Sequence, residues 1–253
     1  MKRICLVMPL VLIVLVSCAG RKDILRPERA DQIVTHEARY GETWESIASD
    51  FYGDGSRAEA LALYNGSDPL APPEPGEGVR IPLSKGDVRS LRSRLDAVEI
   101  YNEGLDLASG GDYAGAVERF RSALERDHGF ADASFNLAVT YRKLGLHDKA
   151  ATVLENLVTR HPKNPEFLFA LGHAHYSSGG LGAAEKRFLE ALSADPGHLK
   201  SLFALATVLE KEGKIEKARD RLVEYLIRDP DGEWAVEARS RIEKLNRALE
   251  EER

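Results

Sequence analysis

Residues 131–164 read ADASFNLAVTYRKLGLHDKAATVLENLVTRHPKN. Apolar and small residues recur here at helical spacing twice, first as Leu137, Ala138 and Tyr141, then as Ala150, Val153, Leu154 and Leu157. Between the two stripes lies Gly145, suited to the left-handed residue that closes a helix, and Pro162 stops whatever precedes it. The stretch predicts a helix, a tight turn and a second helix. One such pair cannot bury both stripes, so it needs neighbours of its own kind.

The neighbours are in the chain. The pattern recurs at a period of 34 residues, with copies starting at Ala97, Ala131, Pro165 and Leu199. The eighth place is Gly104, Ala138, Gly172 and Ala206, and the twentieth is Ala116, Ala150, Ala184 and Ala218, small residues that let helices approach. The fifteenth is Gly111, Gly145, Gly179 and Gly213, and the twenty-fourth is Phe120, Leu154, Phe188 and Leu222. The thirty-second is His128, Pro162, Pro196 and Pro230.

These places resemble the tetratricopeptide repeat (TPR). The resemblance implies a mostly α fold: a four-repeat α-solenoid over 97–130, 131–164, 165–198 and 199–232, with a concave groove built by the first helix of each pair. Two departures fall in the first repeat, Glu103 where other copies have Leu, and His128 for Pro. Residues 233–253 complete the array as a capping helix with Trp234, Ala238, Ile242, Leu245 and Leu249 on one face.

The resemblance turns the fifth place toward the groove, and there the chain carries Tyr101, Phe135, Phe169 and Phe203. A ladder of these rings, with Arg142, Lys143, His173 and Tyr176, is the expected partner-binding surface. The rings admit two readings, packing between repeats or capture of a partner. Three of the four lack a hydroxyl in a place expected to be wet, which favours capture of a segment with apolar anchors.

Composition narrows the rest. The 253 residues are 43% hydrophobic and 30% charged, with a formal charge of −6, and no basic run stands out. A nucleic-acid or anionic-membrane surface needs such a patch. The N-terminus has Lys2 and Arg3, an apolar run from Ile4 to Val16, then Leu15-Val16-Ser17-Cys18, which resembles a bacterial lipobox. Residues 1–17 are expected to be a lipoprotein signal peptide and Cys18 the lipidated residue, with 18–32 a tether. Of the two cysteines, Cys5 lies in the signal, leaving Cys18 without a disulfide partner. Ala19 after it implies, by the same resemblance, the outer membrane facing the periplasm.

Residues 33–84 read as strand, helix, helix, strand, a small α+β (βααβ) module joined to the array by a connector, 85–96. Gly41-Glu42-Thr43-Trp44, Phe51-Tyr52-Gly53-Asp54, Asn65, Pro75-Gly76 and Arg80-Ile81-Pro82 resemble the LysM module. LysM modules bind N-acetylglucosamine-containing glycans such as peptidoglycan in a shallow groove. That implies Gly41, Glu42, Thr43 and Trp44 on one wall and Gly66, Ser67, Asp68, Pro69 and Leu70 on the other. Trp44 admits core packing as well as sugar stacking, and Asn65 a helix cap as well as a ligand contact.

His173 and His175, two apart on a helix, point about 200° apart and cannot chelate together. With no other candidate chemistry, no enzyme activity, metal or cofactor is expected. The expected function is an outer-membrane lipoprotein that binds peptidoglycan and recruits an envelope protein in the TPR groove. The alternatives are an assembly factor for an outer-membrane, secretin or pilus complex, and an activator of a wall hydrolase.

Overall fold

The computed structural model describes residues 30–251. Signal peptide, Cys18 and most of the tether lie outside them. The described residues form two compact units, 30–102 with 125–127, and 103–124 with 128–251.

In the first unit, β1 (Gln32–Glu37), α1 (Trp44–Tyr52), a 3-10 turn (Gly55–Arg57), α2 (Ala58–Asn65) and β2 (Gly78–Leu83) follow one another. The strands pair antiparallel, Gln32 opposite Leu83 through Glu37 opposite Gly78. Trp44, Ile47, Ala48 and Phe51 recur at helical spacing on α1 and are buried against Leu61, Ala62, Val34, Val79 and Ile81. Thr43 opens α1 with a reciprocal capping box to Ser46.

The expected connector at 85–96 is instead helix. α3 runs unbroken over Lys85–Ser109. The Ser84 hydroxyl accepts from the Asp87 amide at 3.2 Å, and Asp87 Oδ2 accepts from the Ser84 amide at 2.9 Å, a cap that starts the helix at once. Val88 and Leu91 then pack on the core of the first unit, so this segment has a hydrophobic face of its own.

In the second unit, the remainder of α3 is followed by α4 (Tyr113–Arg126), α5 (Ala131–Lys143), α6 (His147–Arg160), α7 (Pro165–Ser177), α8 (Leu181–Ala194), α9 (Leu199–Lys211), α10 (Ile215–Arg228) and α11 (Ala235–Glu251). Each first helix ends alike. Gly111, Gly145, Gly179 and Gly213 have φ between 74° and 85°, and the amide after each bonds back to the carbonyl of Leu107, Tyr141, His175 or Leu209 at 2.9 Å. At the thirty-second place His128 replaces Pro, and its Nδ1 bonds the Leu124 carbonyl at 2.6 Å, closing α4 by a side chain.

The eighth and twenty-fourth places prove to be paired by volume. A Cβ on Gly172 would lie 2.6 Å from Phe188 Cε1, and one on Gly104 would lie 2.7 Å from Phe120 Cε1. Where the eighth place is Ala138 or Ala206, the twenty-fourth is the shorter Leu154 or Leu222, all buried. Glycine thus answers phenylalanine and alanine answers leucine, which keeps helix spacing uniform at interior density. One cluster joins α5, α6 and α7 through Leu154, Leu157, Leu168 and Leu171, and another runs from Phe188 through Leu205, Leu222 and Tyr225 to Leu245 of α11.

Candidate functional site

Two adjoining hollows open on the second unit. The first, about 230 Å³, lies among Phe169, His173, Tyr176, Phe188, Phe203 and Trp234, with Lys200 and Thr207 at its rim. The second, about 440 Å³, is lined by Phe135, Val139, Arg142, Phe169, His173, Glu166 and Glu233 among others. Phe169, His173, Lys200 and Trp234 belong to both, so the two form one groove.

The groove rings do not stack on one another as a ladder. Each packs instead at the start of the following first helix: Phe135 on Phe167 at 5.4 Å, Phe169 on His198 at 5.6 Å, and Phe203 on Trp234 at 5.2 Å and 28°. Each ring is partly buried and keeps a face on the hollow, so packing and exposure coexist. Tyr101 does not join them. It is 2% exposed and belongs to the first unit, a buried phenol. Lys143 is exposed and is not among the groove-lining residues. Arg142, His173 and Tyr176 do line the groove.

Trp234 is the residue whose role the sequence reading missed. Expected on the face of the capping helix, it stands before α11 begins, with its amide donating to the Tyr225 hydroxyl at 3.2 Å. Phe203 is further held by Arg241, whose guanidinium lies 4.8 Å from the ring centroid and 2.8 Å from Glu210. The aromatic repetition on one first-helix place pointed to Phe203; nothing periodic points to Trp234.

The electrostatics of the groove are uneven. Lys200 bonds Glu166 at 2.9 Å and Lys211 lies 4.5 Å from the Tyr176 ring centroid. Burial works to raise the Glu166 pKa, but the Lys200 and His198 bonds outweigh it and hold the carboxyl below its ordinary range. His173 is pushed below the usual imidazole value by burial first and then by the charge of Arg142. Burial also lowers the Arg142 guanidinium.

A serine, histidine and carboxylate come together nearby: His198 Nδ1 is 2.7 Å from Ser201 Oγ and Nε2 is 3.3 Å from Glu166 Oε1. Ser201 is 0% exposed, so no substrate reaches its hydroxyl. The string ties α7 to α9.

In the first unit the two loops expected to hold glycan are brought together. Ala38 exchanges backbone bonds with Glu77 and Gly76 at 2.9 and 2.8 Å, and Trp44 Nε1 donates to the Ala71 carbonyl at 2.7 Å. Trp44 is 3% exposed, so it is a core residue that fixes the second loop and offers no ring to a sugar. Glu42 is occupied by His36 at 2.7 Å and the Arg39 amide at 2.8 Å, and Thr43 by its cap. Asp68 accepts from the Leu70 amide at 2.9 Å, and Ser67 donates to Glu77 at 3.3 Å. Gly41 and Gly66, at φ 84° and 76°, turn the two loops, and Pro69 is partly buried. Asn65 is structural: it bonds the Leu61 and Arg80 carbonyls at 2.9 Å and accepts the Arg80 amide at 2.8 Å. The two loops expose Leu70 and, unremarked in the sequence reading, Tyr40, each 95% exposed.

The fold and groove define a helical-repeat interaction protein. A family model for the tetratricopeptide repeat matches residues 101–166 and 169–233, and the chain belongs to that family. It is 29% identical over 162 residues to the TPR repeat-containing protein MJ1428 of Methanocaldococcus jannaschii, covering 53% of this chain and 28% of that protein. The small glutamine-rich tetratricopeptide repeat-containing protein 2 of Mycosarcoma maydis is 28% identical over 40% of this chain and 29% of its own length. The chain therefore spans less than a third of either relative. Among solved structures, YrrB, described as a TPR protein with an unusual peptide-binding site, superposes with a TM-score of 0.52 at 23% identity, over 61% of this chain and 79% of that one. MamA from Desulfovibrio magneticus RS-1 gives 0.51 at 22%, over 54% and 77%. As a TPR protein the chain is a scaffold for protein–protein interaction, a class generally without catalysis of its own.

Proposed function

We propose that the protein is a lipid-anchored envelope adaptor. Cys18 holds it in the outer membrane facing the periplasm, the module at 33–84 holds peptidoglycan, and the groove captures a segment of an envelope protein. The observation that carries the reading is the open aromatic hollow between Phe169, Phe203 and Trp234, an apolar surface beside a packed core. The peptide-binding description of YrrB agrees with a peptide occupant. For the glycan, the βααβ arrangement and the LysM-like sequence support the reading. Tyr40 and Leu70 present apolar faces to sugar rings. A single weak module suffices, because anchor and wall polymer hold the two at high effective concentration.

The test uses the full chain and purified peptidoglycan. Co-sedimentation is expected to drop about tenfold for Tyr40→Ala with Leu70→Ala, each of which removes an exposed contact, and to be unchanged for Phe203→Ala with Trp234→Ala. In cells, Cys18→Ser is expected to leave the membrane fraction. Peptidoglycan binding that follows the groove variant, or a Cys18→Ser protein still in the membrane, refutes the assignment of roles.

A further inference from the structure

The groove has a charged end as well as an apolar one. Of the Lys and Arg side chains that line the two hollows, Lys200 is matched by Glu166 at 2.9 Å. Arg142 is the exception. Its guanidinium lies half-buried in the groove wall, with no carboxylate partner among the described residues.

The groups facing it do not compensate. His173, across the groove on α7, is held below the usual imidazole value by burial and then by the charge of Arg142, and its Nδ1 is within 3.3 Å of the Ser177 hydroxyl. The Nδ1 of His147 is buried without a hydrogen-bond partner. Of the acids on the same hollow, Glu166 is engaged by Lys200 and His198, and Glu233 is exposed. A partly desolvated guanidinium without a counter-ion costs free energy, and a carboxylate delivered to it forms a charge-assisted, bidentate pair.

Resting on the reading of the groove as a peptide site, we propose that its occupant is an acidic, extended protein segment. An Asp or Glu side chain of that segment lies on Arg142, and an aromatic or branched aliphatic side chain further along enters the hollow between Phe169, Phe203 and Trp234. First helices pack roughly 10 Å apart and an extended chain rises about 3.3 Å per residue, so the two anchors are separated by about three to five residues. The argument for this occupant is charge complementarity, with the apolar hollow and the unmatched cation on one continuous surface.

The test uses the full chain and fluorescein-labelled, C-terminally amidated dodecapeptides. Each has one Phe and one Glu, spaced by two to six Gly/Ser residues, read by anisotropy. One spacing is expected to bind best, and replacing its Glu by Gln to weaken binding about tenfold, the worth of a charged hydrogen-bonded pair. Arg142→Gln is expected to cost the Glu peptide the same factor and to leave the Gln peptide within about twofold, while Arg142→Lys retains an intermediate affinity. Far-UV circular dichroism confirms that each variant is folded. If Arg142→Gln weakens both peptides equally, or a Lys peptide binds as well as the Glu peptide, the acidic anchor is wrong. If Phe203→Ala abolishes binding while Glu and Gln peptides are indistinguishable, the groove reading stands and this proposal falls. Binding that needs a free C-terminal carboxylate overturns the internal anchor. Self-association in sedimentation velocity that no peptide displaces assigns the groove to a second copy and overturns the proposal. If no peptide binds, both readings fail.

Discussion

Replacing Gly172 by Ala is expected to destabilise the array, against the ordinary preference of helices for alanine, and Phe188→Leu to rescue it. The added Cβ would lie 2.6, 2.8 and 3.1 Å from Cε1, Cδ1 and Cζ of Phe188. Carbon atoms rest at about 3.5–4.0 Å, so the ring must retreat by roughly 1 Å. It has nowhere to go, being 1% exposed within a cluster that includes Leu202, Leu205 and Ala206. Overpacking of this kind costs about 1–3 kcal/mol, and alanine's helix propensity returns about 1 kcal/mol of it, leaving a net loss of about 1 kcal/mol. Phe188→Leu alone leaves a cavity, costing about 1–2 kcal/mol. Together they recreate the Ala138–Leu154 arrangement found one repeat earlier, so the double variant should lie within about 1 kcal/mol of the parent, a coupling of about 2 kcal/mol. Urea denaturation followed by circular dichroism and by Trp234 fluorescence in a Trp44→Phe background measures it. Effects that add to within about 0.5 kcal/mol would refute the volume-pairing argument.

Trp44→Phe itself removes the indole donor to the Ala71 carbonyl, and should cost the first unit about 1–2 kcal/mol while the Trp234 transition of the second unit stays in place; amide exchange at 66–77 should speed up, and unchanged exchange there would show that the bond does not hold the second loop. Acidification gives a signed effect at Glu166. Its depressed pKa contributes stability that is present above the ordinary 4.5 and is lost as pH falls through the folded value. Melting temperature should therefore fall more steeply below about pH 4.5 in the parent than in Glu166→Gln; the loss is modest because the carboxylate is half exposed, and parallel curves would exclude the contribution.

The 34-residue recurrence alone was enough to read the helical pairs of the array, because the turn glycines obey local sterics and each small eighth-place residue answers the twenty-fourth-place side chain of its own copy. The same holds for α1, whose apolar spacing and Thr43 cap are visible as written. The helix at 85–96 was less legible, since its cap uses Asp87 in place of the usual Glu, and its face packs on a core formed by residues up to 57 positions away, such as Val34. The aromatic fifth place singled out Phe135, Phe169 and Phe203, which line the hollows, yet the groups they pack on, Phe167, His198 and Trp234, occupy no common repeat position. Whether Trp44 packs inward, whether Tyr101 is buried, and whether Arg142 finds a carboxylate are decided by what the folded chain brings within a few ångströms. Periodicity specifies which face a residue occupies; only tertiary packing specifies whether that face is covered, and by what charge.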